Sequence, residues 1–202
     1  MIEEYVAVRG ITLLTHFTQV SNLDSILRRG LLPRDMLIGD DNVRFNDQYR
    51  LDGTRAVCLS VEHPNYKMFY RLRQETPDVE WVVLAVSRKV LWSLPCAFCA
   101  TNAASATVTA IPLEQRQTLA ALKNLFADWG VLTRAVLGIQ DSYPTNPQAE
   151  VLMLEGVPRE YILGVIVSTI ALKNELLERY PSVAVKYIPR FFSYRHDYIH
   201  WR

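Results

Sequence analysis

The chain has 202 residues, half of them hydrophobic, which is enough for one substantial core and short for two, so a single domain over residues 1–202 is expected. A formal charge of +1 supplies no global field for nucleic acid or membrane and confines any polyanion site to a local patch. The longest apolar runs, WVVLAV and ILGVIV, fall far short of the ~20 residues of a membrane helix, and the acidic start MIEEYVAV is unlike a basic signal peptide, so a cytoplasmic protein without a membrane partner is expected.

The first strand is predicted at residues 11–18, where alternation sets Leu14, His16 and Thr18 on one face and Leu13, Thr15 and Phe17 on the other. A short helix follows at 21–29, with Ser21 as expected N-cap, Asp24 three residues on, and Leu23, Ile26 and Leu27 as its buried face. Gly30 stands where a left-handed cap belongs. A polar, irregular segment at 34–55 leads to strands at 56–61, 81–87 and 96–101. The longest helix is predicted at 113–129, where Leu119, Leu122, Leu125, Phe126 and Trp129 recur at helical spacing. A second polar loop, 138–148, precedes a strand at 149–154. Strands at 163–168 and 183–187 flank a helix at 171–180 that Pro181 stops, and the aromatic run 191–198 is the last expected strand. The pattern is mixed α and β, without repeats or long linkers.

Three places carry candidate chemistry. His16 and Thr18 share one face at the end of the first strand, where a buried histidine bonded to backbone is the plainer reading. Glu150 opens an apolar strand after a polar loop read as mobile, with Gln148 on the same face. A carboxylate there suits a sugar hydroxyl or a developing cation, although a solvated strand edge would look the same. The loop VRFNDQYRLDGTR gathers Arg44, Arg50 and Arg55, whose donor forks suit phosphate, or which its own acids Asp47 and Asp52 could neutralise. Other motifs fall away. CAFC has no second ligand pair and would place Cys96 and Cys99 on opposite faces of a strand, so core packing is expected rather than zinc. In HDYIH an aspartate stands where a zincin needs glutamate, the three thiols lack the basic context of a nucleophile, and no Walker A or G-x-G-x-x-G loop occurs.

The order THFT, VSNLDSILRRGLLP, DQYRLDG and QAEVL, spread over residues 13–167, resembles the DarT family of DNA-base ADP-ribosyltransferases. The resemblance implies an α+β ADP-ribosyltransferase fold, a split β-sandwich of two small sheets with flanking helices and NAD between them, and no metal. It implies transfer of ADP-ribose to a base in single-stranded DNA, either thymine or guanine, by a toxin countered by an antitoxin of macrodomain or NADAR type. By matching position, His16 is expected to donate to the adenosine ribose, with Phe17, Thr18 and Gln148 also on NAD and Glu150 as the catalytic carboxylate. Arg50 is the expected loop arginine on NAD and the acceptor base, with Arg44 and Arg55 as candidates for the same place and for nucleic-acid contact. Tyr143, in the loop facing the acceptor strand, is expected to stack on it, the segment 66–71 to line the cleft, and Asn102 to stand near it. Two rivals remain at this point: an RNA-directed enzyme of the same fold, either an ADP-ribosyltransferase or a 2′-phosphotransferase, and a non-catalytic nucleic-acid-binding module.

Overall fold

The computed structural model describes residues 1–37, 39, 43–44 and 53–202. In chain order, helix α1 (Ile2–Val8) leads into strand β1 (Leu13–Gln19), helix α2 (Leu23–Arg29), strand β2 (Val57–Val61), helix α3 (Tyr66–Glu75) and strand β3 (Trp81–Ser87). Then come α4 (Val90–Ser93), β4 (Cys96–Cys99), α5 (Ala106–Thr109), α6 (Leu113–Arg116), α7 (Leu119–Asn124), α8 (Arg134–Leu137), β5 (Glu150–Met153), β6 (Ile162–Val167), α9 (Ile170–Arg179) and β7 (Val185–Tyr187). Among the described residues the strands run β4-β5-β2-β1-β3-β6-β7, antiparallel except for the parallel β6–β7 pair.

The expected pair of small sheets takes the form of one run with a weak seam. β1 matches β3 along its whole length, from Leu13↔Ser87 to Gln19↔Trp81, whereas it meets β2 only at Leu14↔Val61 and Thr15↔Ser60. Beyond Thr15 the two strands part, β2 continues against β5, and a cleft opens between the halves.

Both faces of the sheet are covered, which explains why β3 reads as an almost unbroken apolar run. Val82, Leu84 and Val86 enter the main core with Leu14, Leu23 and Leu176, while Trp81 and Val83 enter an aromatic core with Phe69, Phe191 and Phe192. Leu14 and Phe17 go to opposite sides, as alternation in β1 requires. Each fully buried Leu or Val contributes about 1.5–3 kcal/mol.

Several local expectations change. The stretch 113–129 is not one helix: Thr118 is extended and its hydroxyl accepts from the Ala121 N–H, so it ends α6 and caps α7. The run 191–198 forms no strand: it starts inside the 3-10 turn Pro189–Phe192 and ends at the first residue of the 3-10 turn Tyr198–Trp201. Phe191 and Phe192 pack with Trp81 and Val83 of β3 and Ile166 of β6, and Arg195 and Asp197 pair with each other. Ser21 does not cap α2, because Val20–Asn22 is itself a 3-10 turn. Gly30 has positive φ but is not a left-handed cap. It lets the backbone pass Val157, with which Leu31 exchanges two hydrogen bonds, and any Cβ would collide with the Val157 carbonyl. Helices α1 and α3 lie in segments that the sequence left without a helix. No helix among the described residues is long and apolar enough to cross a membrane.

Candidate active-site cleft

The cleft at the seam is lined by Thr15, His16, Phe17 and Thr18 of β1, by Ser25 and Ile26 of α2, and by Cys58 and Ser60 of β2. Asn65 and Met68 from the start of α3, the segment around Leu31 and Arg34, Val43 and Arg44, and Glu150 of β5 complete it. Apolar walls and a few convergent polar groups are the usual build of a cofactor-sized site. His16 and Glu150 are thus brought into one site from strands on either side of the seam.

His16 is half-buried, and its Nδ1 lies 2.9 Å from the carbonyl oxygen of Cys58. Because a carbonyl only accepts, the proton sits on Nδ1. Burial pushes the pKa of His16 below the ordinary 6.5, against the smaller opposing pull of the Cys58 bond. The ring is therefore neutral, and Nε2 carries a lone pair. In this tautomer the ring nitrogen left toward the cleft, Nε2, is an acceptor, whereas the sequence reading expected a donor. Phe17 lines the cleft beside it and is fixed by stacking on Phe69, with centroids 4.6 Å apart.

Glu150 opens β5 with only 7% of its surface exposed, and its Oε2 accepts from the Ala103 N–H at 2.7 Å. Asn102 builds the turn that presents this donor: its side chain accepts from Ala104 N–H and its carbonyl from Ser105 N–H. Asn102 thus acts next to the carboxylate, through the backbone.

Asn22 was missed by the sequence reading. It is 4% exposed, donates to Thr18 Oγ1 at 2.9 Å and to the Arg44 carbonyl at 2.8 Å, and accepts from the Arg44 N–H at 2.8 Å. This three-bond clamp draws Arg44 to the rim of the cleft and explains why the Asn22 side chain is not spent on capping α2. The one available signal was an asparagine just before an apolar helical face. Arg55, by contrast, is outside the cleft lining and pairs with Asp35 on the surface at 3.1 Å. Arg50 lies outside the described residues.

The loop before Glu150 is strapped down, correcting the expectation of a mobile one. Arg134 donates to the carbonyls of Gln140 and Tyr143, and Arg195 to those of Pro144 and Thr145. His196 donates to the Gly138 carbonyl. Arg134, Arg195 and His196 thus take up carbonyls of the loop. Tyr143 is half-buried, with its ring 6.2 Å from His63 and 5.6 Å from the Arg195 guanidinium. Gln148, half-buried, is not part of the cleft lining, and its N–H donates to Asn146 Oδ1. Of the segment 66–71, Met68 reaches the cleft, whereas Tyr66 and Phe69 are buried elsewhere. Cys96 and Cys99 enter different cores, and burial pushes the Cys96 thiol up to about 12. Among the described residues no group of three or more His, Cys, Asp or Glu side chains could hold a metal ion.

A family model described as "ssDNA thymidine ADP-ribosyltransferase, DarT" matches residues 15–192. The structure is similar to Thermosipho africanus DarTG in complex with ADP-ribose, at 18% identity and a TM-score of 0.60. That match covers 90% of this chain and 51% of the other, so this chain spans about half the Thermosipho chain's length. It is also similar to Thermus sp. 2.9 DarT in complex with NAD+, at 16% identity and a TM-score of 0.55, covering 91% of this chain and 98% of that one. A Thermus sp. 2.9 DarT structure in complex with ADP-ribosylated ssDNA matches at 16% identity and a TM-score of 0.57, covering 91% and 97%. At such identities these likenesses show a shared fold. No curated protein matches the chain.

Proposed function

This chain belongs to the DarT family of single-stranded-DNA thymidine ADP-ribosyltransferases, and from that premise we propose that it transfers ADP-ribose from NAD to a thymine base of single-stranded DNA. The observation that carries the reading is the convergence of His16 and Glu150 on one cleft at the seam of the sheet. The Thermus complexes with NAD+ and with ADP-ribosylated ssDNA support both substrates.

The residues present fit such a donor. Apolar side chains such as Ile26, Leu31 and Met68 offer walls for rings, Arg34 and Arg44 offer charge for a pyrophosphate, and His16 and Glu150 offer acceptors for ribose hydroxyls. His16 Nε2 accepts from the adenosine ribose, with Phe17 and Thr18 beside it. NAD supplies a glycosidic carbon that gains positive charge as nicotinamide leaves. Glu150, bonded to a hydroxyl of that ribose, stabilises the charge more in the transition state than in the ground state. The Ala103 N–H holds its carboxylate in place beforehand. The acceptor nitrogen attacks the same carbon and loses its proton, with Arg50 or Glu150 assisting. Gln148, Arg55 and Tyr143 lie outside the cleft lining, so Gln148 is left off NAD, and Arg55 and Tyr143 are candidates for contact with the strand. No step calls for a metal ion.

A DNA acceptor places the activity in the cytoplasm, as a toxin restrained by an antitoxin that reverses the modification; the likeness to Thermosipho DarTG supports such a partner. By the resemblance, a thymine acceptor goes with the macrodomain type and a guanine acceptor with the NADAR type.

The test is to incubate the protein with NAD and short DNA or RNA oligonucleotides and weigh the products. A gain of one ADP-ribose on thymine-bearing DNA is expected. No gain on any oligonucleotide, or an undiminished gain with Glu150→Ala, overturns the reading, and a gain on guanine alone moves the acceptor and with it the antitoxin type.

A further inference from the structure

A second groove, of about 450 Å³, lies at the outer edge of the sheet between the end of β4 and helices α5, α6 and α7. Its wall carries Arg116, only 6% exposed. Among the described residues, one hydrogen-bond contact reaches this guanidinium, from Nη1 to the sulfur of Cys99 at 3.9 Å, and its buried Nε has no partner there. Arg116 takes part in none of the ion pairs among the described residues. A guanidinium does not shed its proton in a protein, and a buried charge without a counter-charge is strongly unfavourable. Thr101, Thr107 and Asn124 add hydroxyl and amide groups to the groove, no described carboxylate lines it, and Trp129 stands at its mouth, 39% exposed.

We propose that this groove is an anion site for a phosphate group, with Arg116 as its charged donor. Resting on the acceptor reading above, that phosphate is a phosphodiester of the DNA strand beside the target base. Two placements support this source. Cys99 is the register partner of Glu150 across β4–β5, and cross-strand neighbours lie about 5 Å apart. Ala103, which holds the Glu150 carboxylate, sits in the segment between Thr101 and Thr107. A strand entering the cleft beside Glu150 thus passes close to Arg116, and an exposed indole suits a base stacked at the mouth.

Thermal melting in phosphate-free buffer, with inorganic phosphate as the probe, tests the site. Phosphate at ten times its Kd raises the wild-type Tm by about 3–6 °C and leaves that of Arg116→Met unchanged, while NAD shifts both proteins alike. Arg116→Lys, which keeps the charge, retains part of the phosphate shift. Without phosphate, Arg116→Met melts no lower than wild type, because it removes an uncompensated charge. Equal phosphate shifts in wild type and Arg116→Met, or a markedly lower Tm of the variant without phosphate, overturn the proposal.

Oligonucleotides carrying one neutral methylphosphonate linkage, moved along the strand, identify the source. One position near the target base raises the wild-type KM about tenfold and does not affect Arg116→Met. If no position does so while inorganic phosphate still needs Arg116, the ligand is a free phosphate and the strand assignment is wrong. If phosphate shifts the wild type through Arg116 but no oligonucleotide is modified, the transferase reading fails and the anion site stands.

Discussion

Nδ1 of His16 and the carbonyl oxygen of Cys58 stand 2.9 Å apart across the seam where β1 and β2 part. That bond bridges the two halves of the sheet at the mouth of the cleft. It also fixes the tautomer, so the nitrogen left for a ligand is an acceptor.

On the proposed reading, in which His16 Nε2 accepts from the adenosine ribose, NAD binds best while His16 is neutral. Since burial holds its folded pKa below 6.5, affinity stays flat from about pH 8 down to the ordinary histidine range and falls only beneath it. Stability follows the same sign: the contribution of neutral His16 is complete above the unfolded value near 6.5 and is lost as pH falls through the folded one. Calorimetric titration of NAD against pH measures the first and melting against pH the second. His16→Ala weakens NAD by about tenfold. A binding midpoint above 6.5, or nitrogen shifts showing the proton on Nε2, contradicts the assignment.

Glu150→Gln keeps an acceptor for the Ala103 N–H but removes the charge. Its kcat falls by about 10²–10³-fold with little change in melting temperature or in KM for NAD. Glu150→Ala loses the same activity and additionally strands a buried donor, at a cost of about 1–3 kcal/mol. Single-turnover rates and melting curves separate the two variants. Equal stabilities would show that the Ala103 bond does not hold the carboxylate.

Asn22→Ala removes all three bonds of the Thr18–Asn22–Arg44 clamp. The exposed Arg44 backbone can return to water, so the stability cost stays near 1–2 kcal/mol. The larger effect is on donor binding: KM for NAD rises several-fold while kcat is largely kept. A variant with wild-type KM would mean that the 43–44 segment holds its place without the clamp.

Arg195 and Asp197 form a bidentate pair, 4% and 2% exposed, that secures the loop before Glu150 through Pro144 and Thr145. Burial pushes the Asp197 carboxyl up, but the hydrogen bonds and charge of Arg195 outweigh it and hold the pKa below the usual 3.8. The pair's stabilisation is therefore full above the unfolded carboxylate value and disappears as pH falls through the folded one. Asp197→Asn removes this acid-side loss and destabilises the protein at neutral pH by about 3–5 kcal/mol, as urea unfolding would measure. An unchanged urea midpoint would mean that the loop does not depend on the pair.

Elements whose pattern is local were readable from the sequence. β3 was expected at 81–87 and is found there, because a run buried on both faces is apolar at every step. Helix α9 differs from its expected bounds by one residue at each end, since Pro181 stops it and Leu172 and Leu176 mark its face. The predicted 113–129 helix failed at Thr118, where a side-chain cap competes with helix continuation and periodicity carries no trace of it. The 191–198 strand failed because its aromatic residues serve a core beneath the sheet rather than a ladder.

The candidate site divides in the same way. Residue identity and order, His16 in the first strand and QAE opening a late one, were enough to single out His16 and Glu150, which the fold brings into one cleft. The direction of the His16 hydrogen bond, the role of Asn22, the straps on the 138–148 loop and the lone charge of Arg116 were not legible. Each depends on long-range placement: Cys58 for His16, Arg44 for Asn22, Arg195 for Pro144, and for Arg116 the lack of an ion-pair partner among the described residues. A sequence specifies which groups can donate or accept, because that is fixed by covalent structure. Which pairs meet, and which are left buried without one, is decided only when the sheet splits at its seam and long-range packing selects the neighbours.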